Sequence, residues 1–358
     1  MKPKFNLNIV LVILALVTIS MSCSGNGNTV NTLTPQQTTA PAGEIITTEP
    51  TQPVPEQPEN LPPDQAEIQP AETVGVAEPT ETPAVAERSS STLGPCAEEV
   101  CVQDNPNLLL RPVGGKGRVT VDPSYRFGEF RKNSRYPNLG VEFLNSTGTP
   151  VIAAADGQVL VAGDDSQTAY TRSLNEYGNL IILEHNLAEI GQPVYTLYAH
   201  LSEVLVQSGD AVSAGQEIGK VGATGNIRGS VLHFEVRVGE NTYSAVRNPE
   251  LWLVNGQDEN GQALGSLAGR ISDSQGNIQD IRNIVVERLG SSGQSVIGRT
   301  YLRTYGGVSL WGQAPWSESF GMGDLLPGTY KLSFLLNGYQ NRLVEVQAGK
   351  LTLISIVQ

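Results

Sequence analysis

The fold is decided by the stretch Gly148–Val159, whose sequence is GTPVIAAADGQV. One apolar run ends at Ala155, another run begins after Gly157, and the dipeptide Asp156-Gly157 lies between them. Asp-Gly favours a tight turn, because both residues tolerate positive φ angles. The stretch therefore predicts a β-hairpin.

Strand signals of the same kind continue on both sides of this stretch. Short apolar runs bounded by Gly, Asn and Asp occur at Asn179–Glu184, Val194–His200, Ile218–Val221 and Leu232–Val238. No segment longer than about ten residues shows the 3.6-residue periodicity of a helix. We expect an all-β domain with an antiparallel sheet core over residues 118–253.

A second β domain is predicted over residues 265–358. About seven short runs at this spacing are typical of a β-sandwich. The run Leu-Pro-Gly-Thr-Tyr at 326–330, followed by an alternating strand, resembles the carboxypeptidase-regulatory-like, transthyretin-type sandwich. That resemblance implies no catalytic residue, and adhesion or spacing is the role it implies.

The N-terminus has the pattern of an export signal. Lys2 and Lys4 precede an apolar run, Ile9–Ile19, that is too short to span a bilayer. The following Ser20-Met21-Ser22-Cys23 resembles the lipobox of bacterial lipoproteins. It implies a signal peptide over 1–22 and lipid on Cys23, which would anchor the protein to a membrane. Ordinary cleavage that leaves a free cysteine is the alternative.

Residues 23–95 have the composition of a disordered linker. Positions 24–95 contain twelve prolines, ten acidic residues and one basic residue, with few large apolar side chains. They carry nine of the thirteen net negative charges of the 358-residue chain. This balance makes nucleic acid a poor partner. In the lead-in 96–117, Cys96 and Cys101 are close enough to form a disulfide in an exported protein.

Six blocks of the first β domain resemble the lysostaphin-type (LytM) family of zinc endopeptidases, which cut peptide cross-links in peptidoglycan. The blocks lie in the order that the family has them. They are Asn138–Phe143, Gly148–Val159, Tyr198–Ser202, Asp210–Gly219, Gly222–Gly225 and Val231–Val236.

The resemblance implies a degenerate active site. The zinc ligands of the family fall on Asn138, Glu142 and His233, and its two catalytic histidines fall on His200 and Val231. An amide oxygen is a weak zinc donor, and valine cannot transfer a proton. We therefore expect no cofactor, with zinc at most at low occupancy on Glu142 and His233.

Several residues have other interpretations. His200 and His233 could be packing residues, bonded to each other or to Glu142, and Glu235 an exposed or cross-strand paired acid. His185 is expected to be a strand-end packing or hydrogen-bonding residue. The segment Asp210–Gly219 also resembles the turn of biotinyl and lipoyl carrier domains, but Lys220 lacks the flanking residues of a carrier lysine.

These observations predict a lipid-anchored, extracytoplasmic protein of the cell envelope. Its peptidase-like domain would bind peptidoglycan or regulate a cell-wall hydrolase. One alternative is an active zinc metalloendopeptidase, with Glu142, His233 and an unidentified third ligand on the metal and His200 as its only catalytic histidine. The other is a structural envelope protein whose two β domains only adhere.

Overall fold

The computed structural model describes residues 98–131, 135–305, 310, 312 and 317–358. The predicted signal peptide 1–22, Cys23, the linker 23–95 and Cys96 lie outside these residues, and what was predicted for them stays a prediction. Within the described part of the chain, no helix has both the length and the apolar character needed to cross a bilayer.

The expected all-β class is confirmed. Apart from strands, the described residues contain two 3₁₀ turns, Tyr243–Ala245 and Pro249–Leu251. In chain order the strands are β1 (Val100–Asp104), β2 (Val141–Leu144), β3 (Pro150–Ile152), β4 (Gly157–Asp164), β5 (Asn179–Asn186), β6 (Pro193–Leu201), β7 (Glu203–Val204), β8 (Ala211–Val212), β9 (Glu217–Lys220), β10 (Val231–Val238), β11 (Val246–Arg247), β12 (Gly265–Ser272), β13 (Ile284–Leu289), β14 (Val296–Leu302), β15 (Phe320–Leu325), β16 (Gly328–Leu335), β17 (Tyr339–Val346) and β18 (Lys350–Val357).

The first β domain is built on a seven-stranded antiparallel sheet. Its order is β11-β10-β6-β5-β4-β8, and β2 pairs with the first half of β10 on the edge away from β6. A three-stranded sheet, β3-β9-β7, packs beside it. Phe143, Tyr198 and Phe234 are fully buried in their common core.

The hairpin predicted at Gly148–Val159 is wrong. Strand β3 pairs with β9 in the small sheet, whereas β4 pairs with β5 and β8 in the large one. Asp156 and Gly157 therefore carry the chain from one sheet to the other. A Cβ at Gly157 would lie 2.5 Å from the carbonyl oxygen of Glu184, so this crossing requires glycine.

Two four-stranded sheets form the second β domain. Their orders are β1-β18-β12-β15 and β14-β13-β16-β17. Side chains from both sheets, including Leu267, Phe320, Leu332 and Val344, share one hydrophobic cluster, so the sheets face each other as a sandwich. The resemblance to the transthyretin-type family stays a prediction.

The lead-in before the first domain supplies an edge strand to the second. Strand β1 pairs with the last strand, β18, in register Val100↔Ile354 to Asp104↔Lys350. Along the sequence, the chain thus forms one strand of the sandwich, then the whole first domain, and then the other strands of the sandwich. Cys101 on β1 is disulfide-bonded, and its pairing with Cys96 stays a prediction.

Buried contacts join the two β domains into one compact unit. Leu109 of the lead-in and Trp252 of the first domain share a hydrophobic cluster with Leu351 of the second domain. Arg111 donates two hydrogen bonds to Asp324, at 2.5 and 3.0 Å. The sandwich therefore packs directly against the domain that carries the candidate site.

Candidate functional site

Strand β10 presents Val231, His233, Glu235 and Arg237 to one face of the large sheet, because alternate residues of a strand point the same way. All four side chains are buried, and Glu235 and Arg237 are 0% exposed. Glu235, which we expected to be exposed or paired across strands, is instead paired within its own strand.

His233 lies between two carboxylates. Its Nδ1 is 3.0 Å from Glu142 Oε1, and its Nε2 is 3.1 Å from Glu235 Oε1. Tyr177 stacks on the imidazole with ring centroids 5.6 Å apart. Carboxylate oxygens only accept hydrogen bonds, so both ring nitrogens of His233 carry protons and the ring is an imidazolium.

The electrostatics of this cluster follow from the same contacts. Burial lowers the pKa of His233, but Glu142 and Glu235 outweigh it and raise that pKa to about 10. Burial raises the pKa of Glu235, but Arg237, His233 and Tyr177 outweigh it and lower that pKa to about 2. The cluster is thus a row of alternating charges, Glu142, His233, Glu235 and Arg237.

Arg237 and Tyr177 complete the environment of Glu235. Arg237 donates to Glu235 Oε2 from Nε at 2.9 Å and from Nη2 at 2.7 Å, and the Tyr177 hydroxyl donates to Oε1. Sequence reasoning missed both residues. The two-residue period of β10 could have placed Arg237 beside His233, whereas no sequence signal links Tyr177 to this strand.

Asp165 fixes the backbone that carries Tyr177. It is 0% exposed, and its carboxylate accepts hydrogen bonds from the N–H groups of Tyr177 at 2.7 Å and Gly178 at 2.9 Å. Gly178 has φ +64°, and a Cβ there would lie 2.4 Å from the nitrogen of Gly225. Glycine is required where these two loops meet.

His200 lies next to His233 and is neutral. The two rings meet edge to face, with centroids 5.8 Å apart, and His200 Nδ1 donates to the carbonyl oxygen of Thr224 at 2.9 Å. Burial, with the positive charges of His233 and Arg131, lowers the pKa of His200 to about 4, although Glu142 acts in the opposite direction. Its Nε2 therefore has a free lone pair at neutral pH.

Asn138 uses its side chain to hold the backbone. Its Nδ2 donates to the carbonyl oxygen of Tyr125 at 3.0 Å, and its Oδ1 accepts from the N–H of Gly140 at 3.3 Å. Val231 is 3% exposed, opposite Leu144 of β2. Both residues are close to the cluster, but neither offers it a basic group.

Two other residues considered from the sequence have structural contacts elsewhere. His185 is buried in β5, where Nδ1 lies 2.8 Å from the carbonyl oxygen of Asp156 and Nε2 2.7 Å from Thr196 Oγ1. Lys220 ends β9 and pairs with Glu203 at 2.8 Å.

A cavity of about 460 Å³ opens above the cluster. Its floor includes Glu142, His200, His233 and Glu235, the residues just described. The other lining residues are mostly aromatic, charged or polar, and they are Tyr125, Arg131, Tyr136, Pro137, Asn138, Leu139, Thr171, Arg172, Ser173, Glu176, Tyr177 and Asn226. The geometry is that of a ligand-binding cavity with a polar, largely neutralised floor.

Residues 136–245, which contain all of these floor residues, match the model of Peptidase family M23. This segment is a LytM-type M23 domain. The expectation drawn from the sequence blocks is confirmed for the first β domain.

The M23 domain has relatives with known activities. Peptidoglycan DD-endopeptidase ShyB of Vibrio cholerae is 35% identical over 140 residues, which cover 36% of this chain and 29% of that protein. Murein hydrolase activator NlpD of Escherichia coli is 39% identical over 100 residues, which cover 28% and 23%. The chain thus spans less than a third of the length of these curated relatives.

Among solved structures, the catalytic domain of lysostaphin from Staphylococcus simulans is 32% identical to this chain. The match covers 35% of this chain and 86% of that chain, with a TM-score of 0.30.

One of the three zinc positions of the M23 domain does not fit a zinc ion. Glu142 Oε1 and His233 Nδ1 lie 3.0 Å apart, as two ligands of one ion would, and the contact of His233 Nε2 with Glu235 is one that a zinc-bound histidine also makes. The side-chain amide of Asn138 is hydrogen-bonded to the backbone through both its nitrogen and its oxygen. In the described part of the chain, no group of three or more His, Cys, Asp or Glu side chains is arranged to hold a metal ion.

Proposed function

We propose that this chain is a catalytically inactive M23 protein of the cell envelope that binds peptidoglycan at the cavity and regulates a cell-wall hydrolase. The observation that carries the proposal is the engagement of Asn138. Its amide bonds the backbone through both Nδ2 and Oδ1, so this position offers zinc no strong ligand, and only Glu142 and His233 remain of the three zinc positions.

The catalytic position that would complement His200 supports the same conclusion. Val231 is a buried hydrocarbon, so a developing oxyanion would find no donor at that position. His200 alone offers one base without a partner. The arrangement supports binding and gives no route to hydrolysis.

The relatives support a role connected with peptidoglycan. NlpD is named a murein hydrolase activator, and ShyB a peptidoglycan DD-endopeptidase. The absence of a fitting metal site favours the activator role for this chain. Lipid on Cys23 would place the domain at a membrane facing the cell wall.

The test uses purified full-length protein in three assays. We expect well under one zinc per chain, no release of cross-link peptides from purified sacculi, and co-sedimentation with sacculi. Added to a peptidoglycan amidase from the same cells, the protein should raise the rate of amidase digestion. The variant His233→Ala, which removes the centre of the cluster, should lose this effect, whereas Arg282→Gln on the exposed surface of the second domain should keep it.

Two results would overturn the proposal. Stoichiometric zinc with chelator-sensitive hydrolysis would establish the zinc metalloendopeptidase. A well-folded protein that neither binds sacculi nor stimulates the amidase would favour the alternative of a structural envelope protein.

A further inference from the structure

Two arginines at the rim of the cavity are held by aromatic rings. The guanidinium of Arg131 lies 4.5 Å from the ring centroid of Tyr125. That of Arg172 lies 4.2 Å from the ring centroid of Tyr136 and 5.1 Å from that of Tyr243. Stacking uses the face of a guanidinium and leaves the N–H groups at its edge for a ligand.

Arg131 is close to the floor carboxylates without being bonded to them. Its Nη2 is 3.9 Å from Glu142 Oε1, beyond hydrogen-bond distance, and its side chain is 45% exposed. Glu142 is already bonded to His233. The positive charge of Arg131 is therefore available at the cavity.

The remaining carboxylates of the cavity are already engaged. Glu235 is paired with Arg237 and His233. Glu176 accepts hydrogen bonds from Ser173 Oγ at 2.8 Å and from Asn226 Nδ2 at 3.0 Å. In a chain with a net charge of -13, this cavity has two stacked cations, Arg131 and Arg172, and one carboxylate bonded only to neutral groups, Glu176, around its floor.

The floor also offers a hydrogen-bond acceptor. His200 lines the cavity, and its Nδ1 already donates a hydrogen bond to the carbonyl oxygen of Thr224. Its Nε2 is the nitrogen left to accept a hydrogen bond, which a peptide N–H group can donate. A carboxylate and an amide N–H occur together at the end of a peptide, whereas an inorganic anion offers negative charge without an amide N–H.

From this geometry we infer that the cavity binds a peptide by a free carboxylate, which Arg131 and Arg172 hold, with an amide N–H on His200. The inference rests on the proposed function, because it assigns the ligand of the same cavity. It narrows that ligand to the peptide part of peptidoglycan and makes the carboxylate the recognised group.

The experiment compares one peptide pool in two chemical forms. Stem peptides are released from sacculi with a muramoyl amidase, and half of them are converted to carboxamides with carbodiimide and ammonia. Isothermal titration of the full-length protein measures Kd for both forms. We expect amidation to weaken binding at least tenfold, because hydrogen bonds to a charged partner are lost while the shape is kept.

Matched variants assign the effect to the rim. Arg131→Gln and Arg172→Gln should each weaken binding of the free-acid peptides about tenfold and have little effect on the amidated ones. Arg282→Gln, on a side chain that is 82% exposed in the second domain, should change neither value. Circular dichroism checks that each variant is folded.

Equal Kd values for the two peptide forms would overturn the inference, as would unchanged binding by both rim variants. Competition by inorganic phosphate at the peptide's own concentration would also overturn it, because the site would then select any anion. These outcomes are independent of zinc content and amidase stimulation. Failure of the inference about the carboxylate therefore does not contradict the proposed function. Conversely, peptide binding that is sensitive to amidation, without stimulation of the amidase, would contradict only the proposed regulation of a hydrolase.

Discussion

His233 determines what the site can do. The family resemblance places it at a zinc position, and in this chain its two ring nitrogens donate to Glu142 and Glu235. The cation of the site is thus part of the chain itself. Glu142 and Glu235 keep it charged by raising its pKa.

The charge on His233 gives a pH dependence of stability. Its pKa is raised from 6.5 to about 10 in the folded chain. A group with a raised pKa contributes stability that is fully present below pH 6.5 and is lost as the pH rises through 10. Urea unfolding between pH 6.5 and pH 10 should therefore show a decline in the free energy of unfolding that the variant His233→Gln shows much less. Parallel pH profiles would contradict the imidazolium.

The buried pair of Glu235 and Arg237 gives a second prediction. Arg237→Met leaves a buried carboxylate without its main partner and should cost about 3–5 kcal/mol of unfolding free energy. Adding Glu235→Gln should recover part of this loss, because the unpaired charge is removed. A double-mutant cycle by urea denaturation measures the coupling. Strictly additive losses would show that the pair is not coupled.

The degenerate positions can be tested by restoring them. Asn138→His adds an imidazole next to Glu142 and His233 and should raise zinc occupancy above that of the unchanged protein, without restoring cleavage. Adding Val231→His should bring measurable cleavage of sacculi, because a second proton-handling group is then present. Metal analysis and peptide release measure the two steps. Cleavage by the single variant would show that Val231 is not limiting.

The sequence predicted part of the site and missed the rest for a physical reason. The motif blocks located Glu142, His200 and His233, because these residues occur at recognisable positions along the chain. Tyr177 and Asp165 act through contacts between separate loops, which no local pattern records. The sequence predicts an exposed or cross-strand paired Glu235, but its side chain is buried beside Arg237 of its own strand, which offsets the cost of burying its charge.

Among the elements, strand existence was easier to predict than strand pairing. The runs around Asp156 are both strands, but they pair in different sheets. Turn residues show where the chain changes direction, and partners far along the sequence decide which sheet each strand joins. Strand β1 shows the same limit, because its partner β18 is about 250 residues away.

Strand β1 should stabilise the sandwich. It covers one edge of β18, and Val100 packs against the core of the second domain. A chain lacking residues 1–104 should therefore exchange the amide hydrogens of β18 faster and unfold at lower urea than a chain lacking 1–97. Both lack Cys96, so the difference reports the strand and not the disulfide. Equal protection of β18 would contradict this role.

At the scale of the whole molecule, the two β domains share polar contacts as well as apolar ones. The N–H of Gly323 donates to Glu250 at 2.8 Å, and Glu250 also pairs with Arg126. Phe127, near the wall of the cavity, meets Tyr305 of the second domain edge to face at 5.2 Å. The sandwich thus supports the segment that leads to Asn138.

Cooperative unfolding should follow from this interface. Arg111→Met removes the two hydrogen bonds to Asp324, whose side chain is only 8% exposed, and should cost about 3 kcal/mol. Calorimetry should show one transition for both domains, shifted to lower temperature. The nearby exposed Arg118→Met is the control. Two separate transitions in the unchanged protein would show that the domains unfold independently.

The pairing of β1 with β18 has a mechanical consequence. A pulling force applied to the chain ahead of Val100, with the cavity held by a ligand, reaches the ladder between β1 and β18 first. The five residue pairs of that ladder and the packing behind them would bear the load before the sheet that carries His233 is strained. The sandwich would then protect the cavity from mechanical deformation while the chain is under tension.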